Sequence, residues 1–214
     1  PKDAATLLLV RGRGVGAEVL MGQRSAGHVF MPDKWVFPGG RVDRTDAIAP
    51  AAQELSAEAE ALLRIGTPRR PPRAFALAAI RETWEEAGLI VGCRGRRGLA
   101  PKGWETFAAQ NAAPDLEKLT FIARAITPPY RPRRFDARFF LADAEVALLD
   151  DRPIGGGPEL LDTRWFSFEE ALGLDLPNVT RFVLGEAQAR LQGERLGPAF
   201  LRWTRAGHRM DRLC

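Results

Sequence analysis

Residues 81–90 read Arg81-Glu82-Thr83-Trp84-Glu85-Glu86-Ala87-Gly88-Leu89-Ile90. Glu82, Glu85 and Glu86 recur at offsets of three and four, the spacing of one helix face, and Gly88 marks its end. At 100° per residue the three carboxylates fall within about 100° of arc, while Ile80, Thr83, Trp84 and Ala87 gather on the other side. The spacing predicts a helix with one packed face and one acidic face. An acidic face costs stability: like charges at i,i+3 and i,i+4 each destabilise a helix by roughly 0.2–0.5 kcal/mol, and the last turns are where the helix dipole disfavours anions. Arg81 can pair with Glu85 at i,i+4, but one guanidinium leaves a surplus of negative charge. A divalent cation would neutralise it, and oxygen-only donors with no matching His or Cys point to Mg²⁺ or Mn²⁺ rather than zinc. Taken alone, three acids on a helix also fit a solvated charged face.

The wider pattern decides between these. Arg81, Glu82, Glu85, Glu86, Gly88 and Leu89 match the string R-E-x-x-E-E-x-G-U, with U apolar, and residues 35–43, WVFPGGRVD, supply a glycine lead-in at Gly39 and Gly40. Together these segments resemble the Nudix hydrolases, whose signature is G-x(5)-E-x(7)-R-E-U-x-E-E-x-G-U. The resemblance implies an α/β fold, an α/β/α sandwich around a mixed sheet, occupying residues 1–214 as a single domain with a helical insertion inside the signature. It also implies one to three Mg²⁺ or Mn²⁺ ions on Glu82, Glu85 and Glu86, with the Gly40 carbonyl a further ligand and Arg81 orienting the glutamates.

Two departures from the signature bear on the site. An insertion of about residues 44–72 separates Gly40 from Arg81, so the first signature glutamate has no unique counterpart. Counting forward from Gly40 reaches Asp46; counting back from Arg81 reaches Arg73, which can neither accept a hydrogen bond nor bind metal. Thr83 stands where the signature has an aliphatic residue, and on a packed helix face a Thr satisfies its hydroxyl by bonding back to a helix carbonyl.

Residues 126–142, ITPPYRPRRFDARFFLA, together with the insertion are similar to the Nudix branch that includes peroxisomal coenzyme A diphosphatases. The same residues alternate as a sheet strand, Phe135, Ala137, Phe139 and Leu141 against Asp136, Arg138 and Phe140. Arg133 and Arg134 are candidates to meet substrate phosphates bidentately. Glu159, in a Gly/Pro loop, is the candidate extra acid, as ligand or general base.

The function this implies is metal-dependent hydrolysis of a diphosphate linkage in a nucleoside diphosphate joined to another group. Coenzyme A or acyl-coenzyme A is the leading substrate; ADP-ribose, dinucleotide cofactors or oxidised nucleotides are the enzymatic alternatives. A non-catalytic ligand sensor or interaction domain on the same fold is the alternative of another class.

At 214 residues and 45% hydrophobic, the chain can bury a sizeable core. No apolar run is long enough to span a membrane and no secretory leader is read. Two cysteines, Cys93 and Cys214, make neither a disulfide framework nor a zinc site, so a reducing, cytoplasmic setting is expected. The net charge is +4, but the basic residues form no tail and no aromatic-basic repeat, so a small polyanion is expected rather than nucleic acid; a homodimer is left open.

The remaining pattern predicts strands over residues 5–10, 18–24, 119–126, 135–141 and 164–168. Helices are expected over 50–64, 103–110, 114–118, from 169, and over 178–191, the last with Val179, Phe182, Val183, Ala187 and Leu191 inward. Residues 12–16 read as a hairpin connection rather than a phosphate loop. The segments at 44–72 and 103–118 are expected to flank the mouth of the site, and His28 and His208 are read as surface or structural.

Overall fold

The computed structural model describes all residues except 26–32, 67, 156 and 158; the His28 expectation lies outside the described residues. In chain order the elements are β1 (Lys2–Arg11), β2 (Glu18–Arg24), β3 (Trp35–Val36), β4 (Gly39–Arg41), α1 (Ala57–Arg64), α2 (Pro72–Ala87), β5 (Gly92–Arg94) and α3 (Glu105–Ala108). There follow β6 (Ala112–Pro114), β7 (Thr120–Ile126), β8 (Phe135–Asp143), α4 (Ala144–Ala147), β9 (Leu160–Ser167), α5 (Phe168–Gly173), α6 (Asn178–Leu191), β10 (Ala199–Thr204) and β11 (Gly207–Arg212).

A mixed sheet runs β11-β10-β7-β8-β1-β2-β3, with β4 added to β1 and β9 to β2. β1 lies parallel to β8 and β10 parallel to β7; the other pairs in it are antiparallel. One core packs Leu7, Leu9, Phe121 and Phe140 under α2 through Phe75, Leu77 and Ile80. The other packs Leu8, Val19, Ile122 and Phe139 under α5 and α6 through Phe168, Val183 and Ala187. Alternate residues of each strand therefore feed opposite cores, which gives the expected three-layer α/β/α arrangement.

This burial on both faces changes the reading of β8. The alternation read as a partly buried strand, yet both faces are covered here: Phe140 is buried and Arg138 is only 1% exposed. Arg138 stacks 4.2 Å over the Phe75 ring and pairs with Asp136 at 2.8 Å. Arg124 joins the same acid bidentately at 2.8 and 2.7 Å. A central strand covered by helices on both sides has no solvent face on which to leave polar residues, so they are paired instead.

The insertion is less helical than expected. Only residues 57–64 form α1, started where the Ser56 hydroxyl accepts from the Ala59 amide at 3.1 Å. Residues 50–56 form no helix, and Ala52 N donates to Pro114 O and Leu116 N to Gln53 O. The 103–118 region likewise holds one short helix, α3, then β6 and a 3-10 turn at Leu116–Lys118. The hairpin β10–β11 was not read from the sequence at all. Apolar and polar residues alternate there only over Leu201 to Thr204, and β11 is largely polar; the hairpin is held through Arg202–Asp211 at 3.1 Å and through Arg212 and Arg190 on buried Glu186.

Candidate active site

α2 starts on Pro72, where a proline's missing N–H costs nothing. It ends at Gly88, whose left-handed φ of 67° suits a residue without a side chain. Thr83 is buried, and its hydroxyl donates to Ala79 O at 2.8 Å, as its place on a packed face required.

The acidic face is not a solvated wall. Glu85 alone is exposed, while Glu86 and Arg81 are buried and Glu82 nearly so. That face lies against β4. The Gly39 amide donates to Glu86 at 2.8 Å; a Cβ at Gly40 would meet the Glu82 carboxylate, so Gly40 makes room on the helix side, while a Cβ at Gly39 would meet Ala5 and Thr6 of β1.

Arg81 organises this face, and all five of its N–H donors are used. Nε and Nη2 hold the Asp46 carboxylate at 2.9 and 3.1 Å; Nη1 reaches Glu82 at 2.9 Å and Glu85 at 3.0 Å; the second Nη2 proton goes to Arg41 O at 3.0 Å. Burial works against its charge, but the Asp46 hydrogen bonds and the Glu82 charge raise its pKa above the ordinary arginine value.

This geometry resolves the two-way count of the first signature acid. Asp46 is fully buried, braces Arg81, and also accepts from the Trp104 indole at 3.0 Å and from the Asp43 amide at 2.8 Å. Arg73 does something else. It clamps the insertion to the start of α2 through Ala47 O at 2.5 Å, Ala49 O at 3.0 Å and Glu54 at 2.8 Å.

Gly155 and Gly157 close the other end. The Gly155 amide donates to Ala87 O at 2.8 Å and the Gly157 amide to Glu86 O at 3.0 Å, satisfying carbonyls that the helix end leaves unpaired. A Cβ at Gly157 would meet Glu85 O at 2.5 Å, so the glycines permit this docking. The docked loop brings Glu159 within electrostatic reach of Glu82 and Glu86.

Arg24, at the end of β2, is a member of the site that sequence reasoning missed. Burial lowers its pKa against the opposing charges of Glu86, Glu159 and Glu82. Nothing distinguishes it in so arginine-rich a chain; only the β2–β9 pairing of Arg24 with Leu160, next to Glu159, brings it here. Arg133 and Arg134 lie in the β7–β8 connection instead. Arg133 is exposed, and Arg134 donates to Thr127 O at 3.1 Å.

Burial, then the charge of Glu82, pushes the Glu86 carboxyl up to about 8; burial, partly offset by Arg81, pushes Glu82 up to about 7. Glu85 is raised by burial in the same direction. As the side chains stand, Glu85 turns toward Arg81 and Glu86 toward the Gly39 amide, and among the described residues no three His, Cys, Asp or Glu groups converge to hold a metal ion. The donor set nonetheless fits a hard cation: every donor is oxygen, the acids outnumber their arginines, and burial raises two carboxyls, a penalty that a bound cation would relieve. Glu85, with 42% of its side chain exposed, has room to turn.

No protein-family model matches the chain. It is 30% identical over 147 residues to nudix hydrolase 7 of Caenorhabditis elegans, a match covering 63% of this chain and 41% of that protein. It is 36% identical over 110 residues to the acyl-coenzyme A diphosphatase NUDT19 of Gallus gallus, covering 39% of this chain and 29% of that one. The chain thus spans less than half the length of either relative. Among solved structures, a NUDIX hydrolase from Alicyclobacillus acidocaldarius superposes with a TM-score of 0.68 at 28% identity, over 92% of this chain and 98% of that one.

Proposed function

From the premise that this chain belongs to the Nudix hydrolase family, we propose that it hydrolyses a diphosphate linkage in a nucleoside diphosphate joined to another group, with Mg²⁺ or Mn²⁺ bound. The observation that carries this reading is the acid surplus at α2: Glu82 and Glu85 share the saturated Arg81 guanidinium, Glu86 has Arg24 as its nearby cation, and two of the three titrate far above an ordinary carboxylate.

Glu82, Glu85 and Glu86 would hold the cation, with the Gly40 carbonyl beside them. When bound, it supplies positive charge to the phosphate oxygens and acidifies the attacking water. Arg81 fixes Glu82 and Glu85 relative to Asp46 and is too fully engaged to leave for substrate. Glu159 and Glu85 are the carboxylates placed to accept the proton from water, Glu159 carried in by the docked glycine loop. Arg24 sits among the same acids as a fixed positive charge.

Coenzyme A or an acyl derivative is the substrate this reading favours. The T-P…R-R-F-D-x-x-F-F stretch and the partial likeness to an acyl-coenzyme A diphosphatase support it. Arg133 and Arg134 enter as contacts for an outlying phosphate.

The test is product release from coenzyme A, acyl-coenzyme A, ADP-ribose, NADH and dinucleoside polyphosphates with Mg²⁺ or Mn²⁺, in native protein and Glu86→Gln. Metal-dependent cleavage of the coenzyme A pair, lost in the variant, is the expected result. Cleavage confined to ADP-ribose or dinucleotides would move the substrate, and no cleavage anywhere would favour a ligand-binding role.

A further inference from the structure

An open cleft of about 330 Å³ lies on the outer flank of α2, lined by Trp84, Glu85, Gly88, Thr106 and Gly155. It is continuous with the acidic cluster, because Glu85 belongs to both. Its other walls come from the α3 segment and the docked glycine loop, so it exists only where these two segments meet the end of α2.

The hydrogen-bonding groups of this cleft are already committed. The Gly88 amide donates to Trp84 O and the Gly155 amide to Ala87 O. The Trp84 indole N–H donates to the Thr106 hydroxyl at 3.0 Å. Arg152 covers part of the Trp84 ring at 5.6 Å but is held bidentately by Asp150 at 2.6 and 2.9 Å. What remains is an indole surface, two glycine backbones and one hydroxyl proton. The acid at its edge is Glu85, which shares the Arg81 guanidinium with Glu82 and Asp46. A phosphate would be repelled there, and a nucleobase would find one polar partner where recognition of its edge needs several.

Resting on the hydrolase reading above, we propose that this cleft seats an uncharged, chain-like arm of the substrate. The diphosphate lies at Glu82, Glu85 and Glu86, and the arm in question, the acyl chain of an acylated substrate, returns past Glu85 to lie along Trp84, with the Thr106 hydroxyl donating to its thioester carbonyl. Trp84 is then a specificity residue, which sets preference among acylated and unacylated substrates without taking part in bond cleavage.

The experiment measures kcat and KM for coenzyme A and for its acetyl, octanoyl and palmitoyl thioesters in native protein, Trp84→Ala, Trp84→Phe and Thr106→Trp. Calorimetric binding of coenzyme A and octanoyl-coenzyme A is measured in the same proteins. Trp84→Ala is expected to raise the octanoyl-coenzyme A KM by about tenfold, with kcat and the coenzyme A KM within about twofold. Trp84→Phe, which keeps an apolar wall, restores the preference. Thr106→Trp narrows the cleft from its other side and shifts preference toward the acetyl thioester, so the inference does not depend on one variant folding. Equal changes for coenzyme A and octanoyl-coenzyme A, or none, would overturn it. A Trp84-dependent binding preference without hydrolysis would instead remove the hydrolase reading and leave the cleft assignment standing.

Discussion

Two arginine–carboxylate networks lie against α2, and they balance their charge differently. Toward its start, Arg124 and Arg138 meet Asp136 and Asp3, two cations for two anions, with Arg138 sealed against Phe75. Toward its end, Arg81 and Arg24 lie among Asp46, Glu82, Glu85, Glu86 and Glu159, two cations for five anions. A buried pair that balances is costly to break but asks for nothing more. A buried cluster left with surplus negative charge takes up either protons or a cation, and under the proposed function it takes up a cation here.

Removing a charge should therefore have opposite signatures in the two networks. Glu86→Gln in the surplus cluster is expected to lower kcat/KM by about 10²–10³-fold, a loss of several kcal/mol of charge stabilisation. Its stability without metal should hold or rise; a large loss of stability with activity intact would erase the distinction. Asp136→Asn in the balanced network strands two buried guanidinium groups. It should cost roughly 3–5 kcal/mol, or on the order of 10 °C in Tm, with little change in kcat/KM at a permissive temperature.

The surplus should also appear as pH dependence. Glu82 and Glu86 titrate at about 7 and about 8 in the fold against 4.5 for the unperturbed group. The folded chain then binds more protons than the unfolded one between about pH 4.5 and 8, so stability falls as pH rises through that window. In EDTA the Tm should drop by on the order of 5–10 °C from pH 5 to 8. Saturating Mg²⁺ should remove most of the drop, and identical melting curves with and without metal would count against the assignment. Smallest of all, Arg73→Ala loses the clamp on Ala47, Ala49 and Glu54 and should cost about 1–2 kcal/mol, read by urea denaturation, with the metal response unchanged.

What the sequence made legible was local. Glu82, Glu85 and Glu86 are spaced by the helix itself, and Gly88 ends that helix by its own backbone preference, so both could be read within ten residues. Asp46 could not be separated from Arg73, because a count along the chain cannot tell which side of the loop absorbs an insertion. In the fold, α2 begins at Pro72, which puts Arg73 more than two turns from Arg81, about 12 Å along the axis, while the loop returns Asp46 to it. Glu159 was noticed for its glycine-rich setting, but the reason it arrives, amides of Gly155 and Gly157 closing the helix end, is a tertiary contact. Arg24 and Trp104 carried no local signal, and in the β10–β11 hairpin the apolar alternation is confined to Leu201 to Thr204, too short to mark a strand by itself.

The central claim is that the acidic end of α2 is a divalent-cation site. Mn²⁺ titration followed by electron paramagnetic resonance tests it most directly, comparing native protein with Glu86→Gln and with Asp136→Asn at a temperature where all three are folded. Saturable binding in the native protein and Asp136→Asn, weakened at least tenfold in Glu86→Gln, is the predicted result. No saturable binding in the native protein, or equal binding in all three, would contradict it.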